Sequence, residues 1–169
     1  MPNAPEQPEG EGRNDNGEEA RPLQAGAAVY NDYDEAQLAA AASLEQLRPE
    51  MVAEMRGFRL VPRPIALPLI AACRWLGDLD VSAEQVRAMS VAELNEGRLY
   101  RRRVESMNNA FLHRLRAITV GDLDDSHLDF LESLMEDEDF APARIQRMSQ
   151  AAYLLYRWLE ASLAMARMQ

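Results

Sequence analysis

From Asp34 onward, apolar side chains return every three or four residues. Leu38, Ala41, Leu44, Leu47, Met51, Met55 and Phe58 form the first series, a spacing that lines one face of a helix. Asp34 stands at the N-cap position, with Gln37 three residues on as a weak capping box. Pro49 predicts a kink within this helix, and Pro62 with Pro64 predicts its end near Val61. A second helix is predicted from about Ile65 to Trp75, closed by Gly77. Ser82 predicts the cap of a short helix holding Val86 and Met89, and Ser90 with Glu93 predicts another. Phe111, Leu112 and Leu115 predict a helix that stops near Gly121. Asp125 predicts the cap of a helix with Leu128, Leu131 and Leu134, which the acidic run Glu136–Asp139 should end by opposing the negative pole of its dipole. Pro142 suits the first turn of a last helix. That helix is expected to run to the chain end, with Ile145, Met148, Ala152, Leu155, Leu159, Leu163 and Ala166 on one face. At ~1.5 Å per residue it would reach roughly 40 Å.

No strand-like alternation and no internal repeat is visible, so the expected fold class is all-α. Long first and last helices with narrow apolar stripes, separated by short ones, predict an antiparallel coiled-coil stump capped by a small helical bundle head. The expected boundaries are 34–61 for the outgoing helix, 62–141 for the head and 142–169 for the returning helix. Residues 1–33 form an acidic extension rich in Pro, Glu, Gly, Asn and Asp. Such a composition buries too little apolar surface to offset chain entropy, and disorder is expected there.

The chain has 169 residues, which suits one domain, and a net charge of -10. An acidic chain repels nucleic acid and anionic membranes, so neither is expected as a partner. Every basic residue is arginine, and Arg101, Arg102 and Arg103 form the one dense basic cluster. The single cysteine, Cys73, excludes an intrachain disulfide. With no apolar run long enough to cross a bilayer and no secretory pattern, the expected compartment is the cytoplasm, including the interior of a cilium.

No enzyme motif is found. There is no glycine-rich phosphate loop, and a chain without lysine has no Walker lysine. His113 and His127 lack partners at metal-ligand spacing, and Cys73 on an apolar helical face reads as a small core residue. The carboxylates between Asp122 and Asp139 lack the spacing and central glycine of a calcium loop. Most of the nine methionines fall at core spacing, and Trp75 with Trp158 read as core anchors. A non-enzyme without cofactor or metal is the expectation.

Three stretches resemble the stalk and microtubule-binding domain of dynein heavy chains. Leu47-Arg-Pro-Glu-Met-Val-Ala-Glu-Met-Arg-Gly-Phe-Arg59, followed by Pro62, is similar to the end of the outgoing stalk helix and its proline hinge. Ile65 to Gly77, ending Ala-Cys-Arg-Trp-Leu-Gly, resembles the first helix of the head. Asp139-Phe-Ala-Pro, with Arg144-Ile-Gln-Arg-Met-Ser149, Ala151-Ala152 and Trp158, resembles the entry into the returning stalk helix. The resemblance extends over roughly Asp34 to Gln169, with residues 78–110 matching poorly. The resemblance implies a helical head on a coiled coil and a tubulin partner. It implies basic contacts at Arg144 and Arg147, with Arg63 near the hinge and Arg101, Arg102 and Arg103 as further candidates. One departure stands out: Ser126 to Ser133 carries Asp129 and Glu132 where axonemal members are commonly rich in Lys and Arg. The implied function is a non-motor structural microtubule-associated protein of the axoneme of cilia and flagella, bound to tubulin or axonemal neighbours. The alternative is a protein–protein adaptor that kept the fold and lost tubulin binding. Met1 and the acidic leader suggest a separate protein.

Overall fold

The computed structural model describes residues 28–96 and 99–169. Most of the expected disordered leader therefore lies outside the described residues. Among the described residues all regular elements are helical. They are α1 (Tyr33–Gln46), α2 (Pro49–Arg56), α3 (Arg63–Trp75), α4 (Ala83–Ala88), α5 (Val91–Glu96), α6 (Leu99–Glu105), α7 (Asn109–Ala117), a 3-10 turn (Val120–Asp122), α8 (Asp125–Met135), α9 (Pro142–Met148) and α10 (Gln150–Arg167).

Two helices form the centre. In α3 every residue from Pro64 to Cys73 is buried, and so is Trp75. In α10, 12 of the 18 residues are buried, including Leu155, Trp158 and Leu159. A helix apolar around most of its girth must be covered on several sides, and α10 packs against α1, α2, α3, α8, α9 and the 3-10 turn. Trp75 and Trp158 lock α3 to α10 edge to face, with ring centroids 5.7 Å apart at 70°. The Trp75 indole N–H donates to the His127 carbonyl at 3.0 Å, which adds α8 to the same junction. Gly77 has a φ of 80°, the left-handed conformation a side chain disfavours. There the Asp78 N–H reaches back to the Cys73 carbonyl at 2.9 Å and closes α3.

Both expected long helices are broken. The outgoing one ends at Gln46, because Pro49 drives Arg48 into extended backbone (φ -97°, ψ 155°), and α2 restarts with Pro49 in its first turn. The register resets at this break. α1 buries Ala36, Ala40, Ser43 and Leu44, while Leu38 is 72% exposed. The returning helix breaks at Ser149, whose backbone is extended (φ -157°, ψ 121°) and whose hydroxyl caps α10 by accepting the Ala152 N–H at 3.1 Å. At ~1.5 Å per residue α10 spans about 27 Å, shorter than the expected continuous helix.

Two caps differ by a residue or two from expectation. Asp32, and not Asp34, caps α1 by accepting the Glu35 N–H at 2.8 Å. Asp124, and not Asp125, caps α8 in a reciprocal box with His127. Ahead of α1, Tyr30 reaches α10, where its hydroxyl donates to Glu160 at 3.4 Å.

Candidate functional site: a hollow rimmed by arginines

α9 is one short helix anchored by Ile145, which is fully buried. That anchor turns Arg144, Arg147 and Met148 outward. Across from them lie Pro62, Pro64 and Val91, from the start of α3 and the start of α5. Together with Arg63 and Asp139 these residues line a hollow of about 410 Å³ with mostly apolar walls. Arg144 donates to Asp139 at 2.9 Å and stays more than half exposed. Arg147 is exposed and forms no ion pair among the described residues.

Arg63 lines the same hollow in a different state. Its side chain is only 13% exposed and pairs with Asp137 and with Asp139. It also donates to the Met89 carbonyl. A guanidinium satisfied in this way ties α3, the α4–α5 junction and the acidic loop together. The four-residue acidic run is thus partly engaged internally, through Asp137 and Asp139.

The Arg101–Arg103 cluster is dispersed by its helix. Arg101 turns toward the end of α2, where it donates to the Phe58 carbonyl at 3.0 Å. Arg102 faces solvent. Arg103 is half-buried, with an Nε that has no hydrogen-bond partner among the described residues. The structure therefore brings Arg63, Arg144 and Arg147 to one hollow and sends Arg101, Arg102 and Arg103 in three directions.

Sequence periodicity places Met148 on the inner face of a continuous helix. The break at Ser149 overturns that placement: Met148 is the last residue of α9 and is 48% exposed. Leu60, just before the proline hinge, is 61% exposed. Exposed apolar side chains beside exposed cations are features of contact surfaces. The only sequence signal for this was Ser149 itself, a strong N-cap residue in mid-helix.

Asp129 and Glu132 on α8 have a local partner. Both Glu132 oxygens accept from Arg167 at 2.7 Å, and Asp129 lies 3.5 Å from the same guanidinium. Arg167 hydrogen bonding holds the Glu132 carboxyl below its ordinary range. These acids pin the end of α10 to α8. Cys73 is fully buried, and burial pushes its thiol up to about 12, which leaves it protonated and unreactive at neutral pH. No group of three or more His, Cys, Asp or Glu among the described residues is placed to hold a metal ion. No helix among them is long and apolar enough to cross a membrane. Compared with known proteins, the chain matches no family model, no curated protein and no solved structure.

Proposed function

We propose that this chain is a non-motor microtubule-associated protein of the ciliary or flagellar axoneme, binding the acidic surface of tubulin through a dynein-like head. In this reading α1 with α2 and α9 with α10 correspond to the stalk stump, and α3 to α8 form the head. The observation that carries it is the meeting of separate resembling stretches at one place. Pro62 and Arg63, from the hinge, and Arg144 and Arg147, from the returning helix, line the same arginine-rimmed hollow. Arg144 and Arg147 are the exposed cations there and would face tubulin carboxylates, while Arg63 holds the site's shape. Salt-sensitive attraction between such patches sets encounter rate and orientation more than raw affinity. A static binder of this kind uses no nucleotide and no cofactor.

A second reading is favoured by the outward face of α8. Asp125 and Asp129 are exposed there, in a chain of net charge -10. A protein–protein adaptor with a basic partner would use that face instead. Co-sedimentation of the full chain with taxol-stabilised microtubules, at low and at physiological salt, separates the two. Salt-sensitive pelleting supports tubulin binding. Failure to pellet at either salt refutes direct tubulin binding and leaves the adaptor reading.

A further inference from the structure

Two hollows meet at Met148. One is the arginine-rimmed hollow against Pro62, Pro64 and Val91. The other, about 370 Å³, is lined by Glu54, Gly57, Phe58 and Met148. One half-exposed methionine thus forms the shared wall of a shallow groove that runs from the end of α2 over the end of α9 to the start of α3. Methionine is unbranched and polarisable, so it adapts its shape to an inserted side chain.

Charge around the groove is sorted. Arg147 forms no ion pair among the described residues, Arg144 is half-engaged with Asp139, and Arg101 reaches the Phe58 backbone at the far hollow. Arg59, adjacent in sequence to Phe58, is exposed. The carboxylates in the lining are Asp139, already paired with two arginines, and Glu54. Exposed arginines at the rim suit an anionic partner, and an apolar floor suits an apolar side chain within it.

We infer that this groove binds an acidic linear peptide segment, with one apolar side chain inserted beside Met148 and its carboxylates on Arg144 and Arg147. The inference rests on the proposed function only for its choice of face. It adds an occupant: an extended acidic segment, as distinct from a folded surface alone. The apolar insertion supplies grip that persists when salt screens the arginines.

The test is fluorescence anisotropy of the full chain with a labelled polyglutamate peptide carrying one central phenylalanine, against the same peptide with serine there. The phenylalanine peptide should bind about tenfold more tightly, the affinity expected from burying part of one aromatic ring. Met148→Glu should abolish that preference, while Leu38→Glu, at an exposed apolar site on α1, should leave it intact. Far-UV circular dichroism confirms that both variants are folded, as exposure of both side chains predicts. Equal binding of the two peptides overturns the inference, because arginine attraction alone then suffices. So does loss of binding in the Leu38 variant. Self-association of the chain that Met148→Glu abolishes, with no peptide bound, also overturns it in favour of a second copy. Microtubule pelleting without peptide binding sinks this inference and spares the proposed function, and peptide binding without pelleting does the reverse.

Discussion

The Nε of Arg63 donates to an Asp139 carboxylate oxygen at 2.9 Å and so ties the first turn of α3 to the loop that enters α9. The same guanidinium takes up Asp137 and the Met89 carbonyl. Arg63 therefore acts as a clamp beneath the hollow, while Arg144, paired with Asp139, and Arg147 are its exposed cations.

Arg63→Ala is expected to destabilise the fold by about 2–4 kcal/mol, because it strands a carboxylate and a carbonyl in poorly solvated positions. Arg147→Ala should change stability by no more than about 0.5 kcal/mol, as for an exposed surface residue. Urea titration of both variants checks this. Equal, small effects would mean that Arg63 is no clamp.

Trp75 and Trp158 join the two buried helices. Trp75→Ala should cost about 3–5 kcal/mol through the cavity it leaves. Trp75→Phe should cost less, losing mainly the bond to the His127 carbonyl. Near-ultraviolet circular dichroism should show the coupled tryptophan signal vanish in both. A signal unchanged in Trp75→Phe would contradict the edge-to-face pairing.

Glu160 lies buried in α10, hydrogen-bonded by Tyr156 at 3.1 Å and by Arg157 at 3.1 Å. Burial raises its carboxyl above the ordinary value of 4.5, against the opposing pull of these partners. A raised folded-state pKa means that Glu160 favours the fold most when protonated. Its contribution is fully present below about pH 4.5 and is lost as pH rises through the raised value. Glu160→Gln should thus gain stability relative to the wild type as pH climbs through this window. Asp78, whose carboxyl is lowered by Arg114, titrates alike in both chains and cancels from the difference. Parallel urea midpoints across pH would refute the burial effect.

Much of the local structure is legible in the sequence. The helix ending at Trp75, its Gly77 cap, the Ser82 cap and the Ser90–Glu93 pair all follow from side-chain chemistry that acts over three or four residues. The failures come where two local signals compete. Leu38 lies about 120° round the helix from Leu44, so the buried face of α1 runs through Ala36, Ala40, Ser43 and Leu44 instead. Met148 fits a continuous last helix until Ser149 caps a new one. For the site, arginine content was visible, but ion pairing was not. Nothing in spacing distinguishes Arg63, held by two acids from a loop more than seventy residues away, from Arg147, which is exposed and has no ion pair among the described residues. Burial of α10 around most of its girth was also hidden, since the alanines and Ser162 that allow close approach carry little hydrophobic signal.

The most direct test of the account is microtubule co-sedimentation of the Arg144→Glu, Arg147→Glu double variant beside the wild type, with helicity measured in parallel. Both side chains are exposed, so the variant should keep its helicity. The wild type should pellet in a salt-sensitive way, and the variant should lose at least about tenfold in affinity, a loss of the order expected from reversing two interfacial charges. Wild-type pelleting matched by an equally folded double variant would contradict the assignment of tubulin binding to the arginine-rimmed hollow.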